Sequence, residues 1–202
     1  MYTKTKRHGL AFALAILISG LSFLSPQITN AEPTIVATDE STATVIFEGG
    51  DITLDQVASF NFGSHAIAGS TQIHPSTDDD ATIQITDLRG TAEGWDLNVS
   101  LSAFTLVDGD DTLDGAYIEI SGVIIDGING TVGDAPTSDA SATLEIASDG
   151  VETDILNAVT GSGSGVWAAT WGETDATLIV LPGSAKAGSY SADLTWSLQS
   201  TP

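Results

Sequence analysis

Apolar and polar residues alternate with a period of two over many short stretches of this chain. In an extended backbone successive side chains point to opposite faces, so such alternation predicts strands with one buried face. The stretches 43–47, 81–86, 94–102, 116–120, 141–146, 165–171, 175–181 and 189–198 read this way. Gly, Asp, Asn and Ser separate them at short intervals and supply turn chemistry. Beyond the first residues only 151–159 suggests a helix, and a short one. The expected fold class is all-β, an antiparallel β-sandwich or barrel-like single domain.

Two of these stretches carry the same tripeptide pattern. Trp95, Leu97, Val99 and Leu101 share one face of the first, with Asp96, Asn98, Ser100 and Ser102 on the other. Tyr190, Ala192, Leu194, Trp196 and Leu198 share one face of the last, opposite Ser191, Asp193, Thr195 and Ser197. A long apolar face is how a strand covers a core, so both tryptophans read as core residues. The functional alternative is an aromatic shelf for sugar rings or a partner protein, since indole joins a large apolar face to an N–H donor. On that alternative the contact residues are Trp95, Leu97, Trp196 and Leu198. Trp167 and Trp171 flank Ala169 on one face of a third stretch and carry the same two readings, with core packing preferred.

The N-terminus follows another pattern. Lys4, Lys6 and Arg7 precede an apolar run over 10–24, Pro26 breaks it, and Asn30-Ala31 follows a small residue, Thr29. This is the layout of a secretory signal with cleavage after Ala31, leaving a domain over 32–202. The apolar run is shorter than the roughly 20 residues a spanning helix needs, so no membrane span is expected in the mature form.

Removing that leader leaves Arg89 and Lys186 as the only cations against 27 carboxylates. Nucleic acid is excluded as a partner, because two cations make no basic patch. Cysteine is absent, which removes thiol catalysis, thiolate metal sites and disulfides together. Arg89, so scarce in its type, is expected to pair with Asp87 and fix the loop before the first tryptophan.

Candidate chemistry is sparse. His65 and His74 are the histidines outside the leader, both in loop-like sequence. No Gly-x-Ser-x-Gly or His-Glu-x-x-His occurs. The acidic turn 108–115 has carboxylates at Asp108, Asp110 and Asp114 but lacks the terminal Glu of a calcium loop, and reads as a solvated turn. Residues 77–80 read as a solvated charge run, 126–139 as a polar loop turning at Asn129-Gly130, and 161–165 as a flexible spacer. No catalytic residues, metal ligands or cofactors are assigned. Leu181-Pro182-Gly183 lacks the Thr-Gly of a sortase site, so covalent anchoring is not expected.

The chain resembles the WxL-domain surface proteins of Gram-positive bacteria. The resemblance rests on Trp95-Asp96-Leu97 and Trp196-Ser197-Leu198 in order, the second near Pro202. It rests also on their flanks: Gly50 to Asp55 with Phe62-Gly63, Thr86 to Thr91 running into Gly94, and Gly188-Ser189-Tyr190. It implies a non-catalytic, exported protein held without a covalent link on the outer face of the cell wall. It further implies binding to peptidoglycan, to a WxL-interacting surface protein, or to both, in company with other WxL or sortase-anchored proteins. The alternative is a structural subunit of a surface fibre or adhesion complex joined by β-strand pairing. An enzyme acting on wall glycan ranks last. The chain departs from the family pattern in its scarcity of lysine.

Overall fold

The computed structural model describes residues 35–201, and the expected leader and its cleavage site lie outside them. The chain divides at Thr44/Val45 into two units. Residues 35–44 of the first unit carry no regular secondary structure. The second unit begins its strands with β1 (Ile52–Gln56), β2 (Gln72–Pro75), β3 (Ala81–Asp87), β4 (Trp95–Leu101), β5 (Thr105–Leu106), β6 (Tyr117–Ile120) and β7 (Ile124–Gly127). A 3-10 turn (Asp139–Ser141) comes next, then β8 (Leu144–Ala147), β9 (Thr153–Ala158), β10 (Gly165–Trp171), β11 (Ala176–Val180), β12 (Tyr190–Ser191) and β13 (Leu194–Ser200).

The strands form four open sheets in the orders β1-β3-β10-β7, β2-β11-β6-β8, β12-β5 and β13-β4-β9. Every pairing is antiparallel. The all-β expectation holds, and no barrel closes among the described residues.

In β3 the alternation is complete: Ala81, Ile83, Ile85 and Asp87 are buried while the residues between them are half-exposed. Its neighbour β10 sets Trp171 opposite Ala81, Ala169 opposite Ile83 and Trp167 opposite Ile85, so each large side chain of one pair faces a smaller one. Most buried apolar residues of β3, β4, β6, β8, β9, β10 and β11 form one cluster, with Trp196 and Leu198 packed against it; Trp167 and Ile179 are buried outside it. Trp171 is fully buried, yet its indole N–H meets no acceptor among the described residues. Trp171→Phe is therefore expected to cost about 1 kcal/mol less than Trp95→Phe, which gives up a hydrogen bond as well as volume. Urea denaturation of the two variants side by side checks this.

Several elements differ from the sequence reading, each for a physical reason. The expected strand over 43–47 does not form. Val45, Ile46 and Phe47 are 72%, 89% and 88% exposed, because no strand lies beside them to complete a ladder. The expected helix over 151–159 is strand β9. A register shift against β4 lets Ile155 and Leu156 both be buried, which breaks the period of two that marks a strand. The stretch 189–198 is two strands: Tyr190 and Ser191 pair with β5, and Leu194 onward pairs with β4. Residues 141–146 begin in the 3-10 turn, which Ser138 caps by accepting from the Ala140 N–H. Strands β1, β2, β5 and β7 are absent from the sequence reading: β5 has 2 residues, β2 and β7 carry no apolar–polar alternation, and β1 alternates only over Ile52–Leu54. Asn129 and Gly130 both take positive φ, as the expected turn requires.

Candidate functional site

The two tryptophan-leucine stretches, about a hundred residues apart in sequence, are ladder neighbours. Strand β13 pairs with β4 so that Leu198 faces Leu97, Trp196 faces Val99 and Leu194 faces Leu101. Trp95, Leu97 and Val99 are fully buried, whereas Trp196 and Leu198 are half-buried. The Trp95 indole donates to the Gly163 carbonyl at 3.2 Å. It fits there because Gly163 is bare: a Cβ on Gly163 would come within 2.6 Å of Trp95 Nε1. Gly94, at φ 94°, is similarly required, since a Cβ would lie 2.2 Å from the Ala158 carbonyl oxygen.

Arg89 pins the entry to this ribbon. Its Nε and Nη2 hold both oxygens of Asp87, at 3.0 and 2.8 Å. Nη2 also donates to the Gly94 carbonyl at 2.9 Å and Nη1 to Ser200 Oγ at 2.5 Å. One guanidinium thus ties the end of β3, the residue before Trp95 and the end of β13 together, as the sequence led one to expect for Asp87. The alternation of β3 turns Asp87 inward. Burial there pushes its carboxyl up, but the hydrogen bonds and charge of Arg89 outweigh this and hold it below the ordinary value.

An open groove of about 520 Å³ is lined by residues of β2, β11 and β12 and the loops beside them. Phe104, Leu113, Leu178 and Val180 line its base. Phe60, Phe62, His65 and His74 stand on one side, Lys186 and Tyr190 on the other. The imidazoles of His65 and His74 stack at 3.7 Å with planes 17° apart. His65 also shares a hydrogen bond with the Phe62 carbonyl. Asp78 Oδ2 accepts from the Asn61 N–H at 2.5 Å, so this carboxylate, read from sequence as part of a solvated run, secures the groove wall. Opposite, the Lys186 ammonium pairs with Asp111, and the Lys186 N–H donates to the Tyr190 hydroxyl at 3.0 Å.

An aromatic series joins groove and ribbon. Phe62 lies 6.4 Å from Phe60, Phe60 meets Trp171 edge-on at 6.3 Å, and Trp171 lies 6.5 Å from Trp196. Trp196 Nε1 donates to the Ala58 carbonyl at 3.2 Å, holding the chain just before the wall. The sequence reading missed this groove. The signal for it was the Phe60-x-Phe62-x-x-His65 run inside a Gly/Ser-rich loop.

The stacked histidines make stability depend on pH. Burial, and then the positive charge His65 would carry, hold His74 below its ordinary 6.5. On acidification the unfolded chain therefore takes up this proton first. The stabilisation is complete above 6.5 and falls as pH drops from there toward the folded value. A lower urea midpoint at pH 5.5 than at pH 7.5 is expected, with a smaller difference in His74→Gln.

Trp167 and Trp171 are core residues, the former donating to the Ser164 carbonyl at 3.1 Å. Asp111 faces Lys186 and Thr112 Oγ1 donates to Asp114. Among the described residues no three His, Asp or Glu side chains converge as a metal-ligand set. No helix among them is long and apolar enough to cross a membrane.

Fold and site define an all-β domain built around a buried tryptophan-leucine ribbon with an open aromatic groove beside it. The chain belongs to the family described as WxL domain surface cell wall-binding, which it matches over residues 23–202. That family is one of cell-wall-binding surface domains and is described by binding rather than by a reaction. No curated protein and no solved structure matches the chain.

Proposed function

We propose that this protein is a non-catalytic module, exported and held without a covalent bond on the outer face of the wall through peptidoglycan, a WxL-interacting surface protein, or both. The observation that carries this reading is the family match along nearly the whole chain, to a family whose description is wall binding. The groove supports it, offering aromatic and imidazole faces without a converging set of catalytic carboxylates. Trp95 and Leu97, at 0% exposure, serve by holding the ribbon with Leu198 opposite Leu97, and Trp196 serves by tying it to Ala58, just before the groove residue Phe60. Purified protein is expected to sediment with isolated wall or with a co-exported partner, and to be released by denaturant without a lytic enzyme. Protein that stays in the supernatant in both mixtures rules the reading out.

A second reading, a subunit joined to others by strand pairing, draws support from Val45, Ile46 and Phe47, whose β-branched and aromatic side chains lie exposed outside every sheet. High-molecular-weight ladders after mild extraction would favour it, and a monodisperse monomer would not.

A further inference from the structure

We propose that the groove walled by Phe60, Phe62 and His65 on one side and Tyr190 on the other is a saccharide site, and that its ligand is an uncharged sugar strand bearing N-acetyl groups. This rests on the wall-attachment reading and assigns to it a place and a ligand class.

Two observations select the class. The first is charge. The chain carries a formal charge of −22, and the Lys186 ammonium in the groove lining is already paired with Asp111, so an anionic ligand meets repulsion and, among the described residues, no unpaired Lys or Arg. The second is the surface of the groove. Half-buried phenyl rings, an exposed imidazole stacked on its neighbour and a tyrosine stand over an apolar base. Flat apolar faces suit the C–H faces of pyranose rings, and the base of Phe104, Leu113, Leu178 and Val180 suits acetamido methyl groups. Gly188, Ser189 and Ser191 also line the groove and offer polar groups to ring hydroxyls. A volume near 520 Å³ falls within the roughly 300–1,000 Å³ of small-ligand sites.

The experiment uses the exported protein with three probes: a tri-N-acetylchitotriose solution, an equal concentration of wall stem peptide, and intact purified wall. Ring resonances of His65, His74 and Tyr190 report occupancy of the groove. The expected result is that the trisaccharide shifts them saturably and the peptide does not. His65→Ala changes an exposed residue, so its fold is expected to be retained and is checked by circular dichroism. It is expected to weaken both saccharide and wall binding by about tenfold, the effect of losing one aromatic contact. Phe62→Ala, tested in the same way, should weaken both as well. Wild-type protein that sediments with wall while the ring signals ignore the saccharide, or folded variants that bind as wild type does, overturn the groove and leave wall attachment standing. Shifts produced by the peptide and not the sugar overturn the ligand class. Wild-type protein that binds neither wall nor sugar overturns the attachment reading and the saccharide site together.

Discussion

Replacing Arg89 with alanine is expected to cost about 3–5 kcal/mol at neutral pH, the range for breaking a buried ion pair on one side. The Asp87 side chain is 2% exposed and that of Arg89 13%, so water cannot readily take over the contacts with Asp87 and Gly94, whereas Ser200 and Glu93 are open to it. The pH dependence separates this from a simple packing defect. In the wild type Asp87 titrates below its ordinary 3.8. Its contribution is therefore complete above 3.8 and fades only as pH falls through the folded value. In Arg89→Ala the backbone N–H of residue 89 still donates to Asp87, but the side-chain hydrogen bonds and charge are gone, and burial, the largest influence, raises Asp87. A carboxyl raised in the folded state favours folding below its unfolded value, and that gain is lost as pH rises. The difference between the two proteins should be largest near pH 7 and shrink on acidification toward pH 4. Urea denaturation at both pH values measures it, and a difference independent of pH would show that Asp87 is not the group left unpaired. Arg89→Lys should recover only part of the loss, because an ammonium lacks the planar fork that holds both carboxylate oxygens.

Trp95→Ala is expected to destabilise the domain by about 3–5 kcal/mol, the range for removing a large buried aromatic side chain. The indole is 0% exposed, sits over Gly163 and donates to its carbonyl, so its loss leaves a cavity and an unpaired acceptor. Trp196→Ala should cost less, because that ring is half-buried at an edge of the core. Wall binding supplies the decisive readout. If Trp95 acts only through the ribbon, bound protein falls in proportion to the folded fraction. Binding lost from a variant still fully folded by circular dichroism would mean that the tryptophan touches the ligand in another conformation.

The first tryptophan-leucine stretch was legible because β4 is a strand of 7 residues with its apolar face in the core, and the second was legible from Leu194 onward, where β13 runs beside it, while the break before Leu194 was not. The same cause made β3 and β10 legible. Strand β9 was not, since its bulge sets Ile155 and Leu156 side by side inside the core, and two adjacent apolar residues look like part of a helical face. Residues 43–47 erred in the other direction: the alternation is present but nothing pairs with it. The Arg89–Asp87 pair was readable because two cations outside the leader leave few combinations and the residues are close in sequence. The groove was hidden because its walls come from 60–67, 72–74 and 185–192, three segments with no local pattern in common.

By itself, then, the sequence determined the fold class, the faces of the long strands, the acidic character and the family. All of these follow from side-chain period, composition and short motifs, which are local properties. Only the tertiary structure decided that the two tryptophan-leucine strands are neighbours, that Trp95 is sealed while Trp196 reaches toward the groove, and that His65 lies against His74. Those facts depend on which strand pairs with which and in what register. Hydrogen-bonding backbone groups are the same in nearly every residue, so packing of the whole chain, rather than any short stretch of it, selects among the pairings.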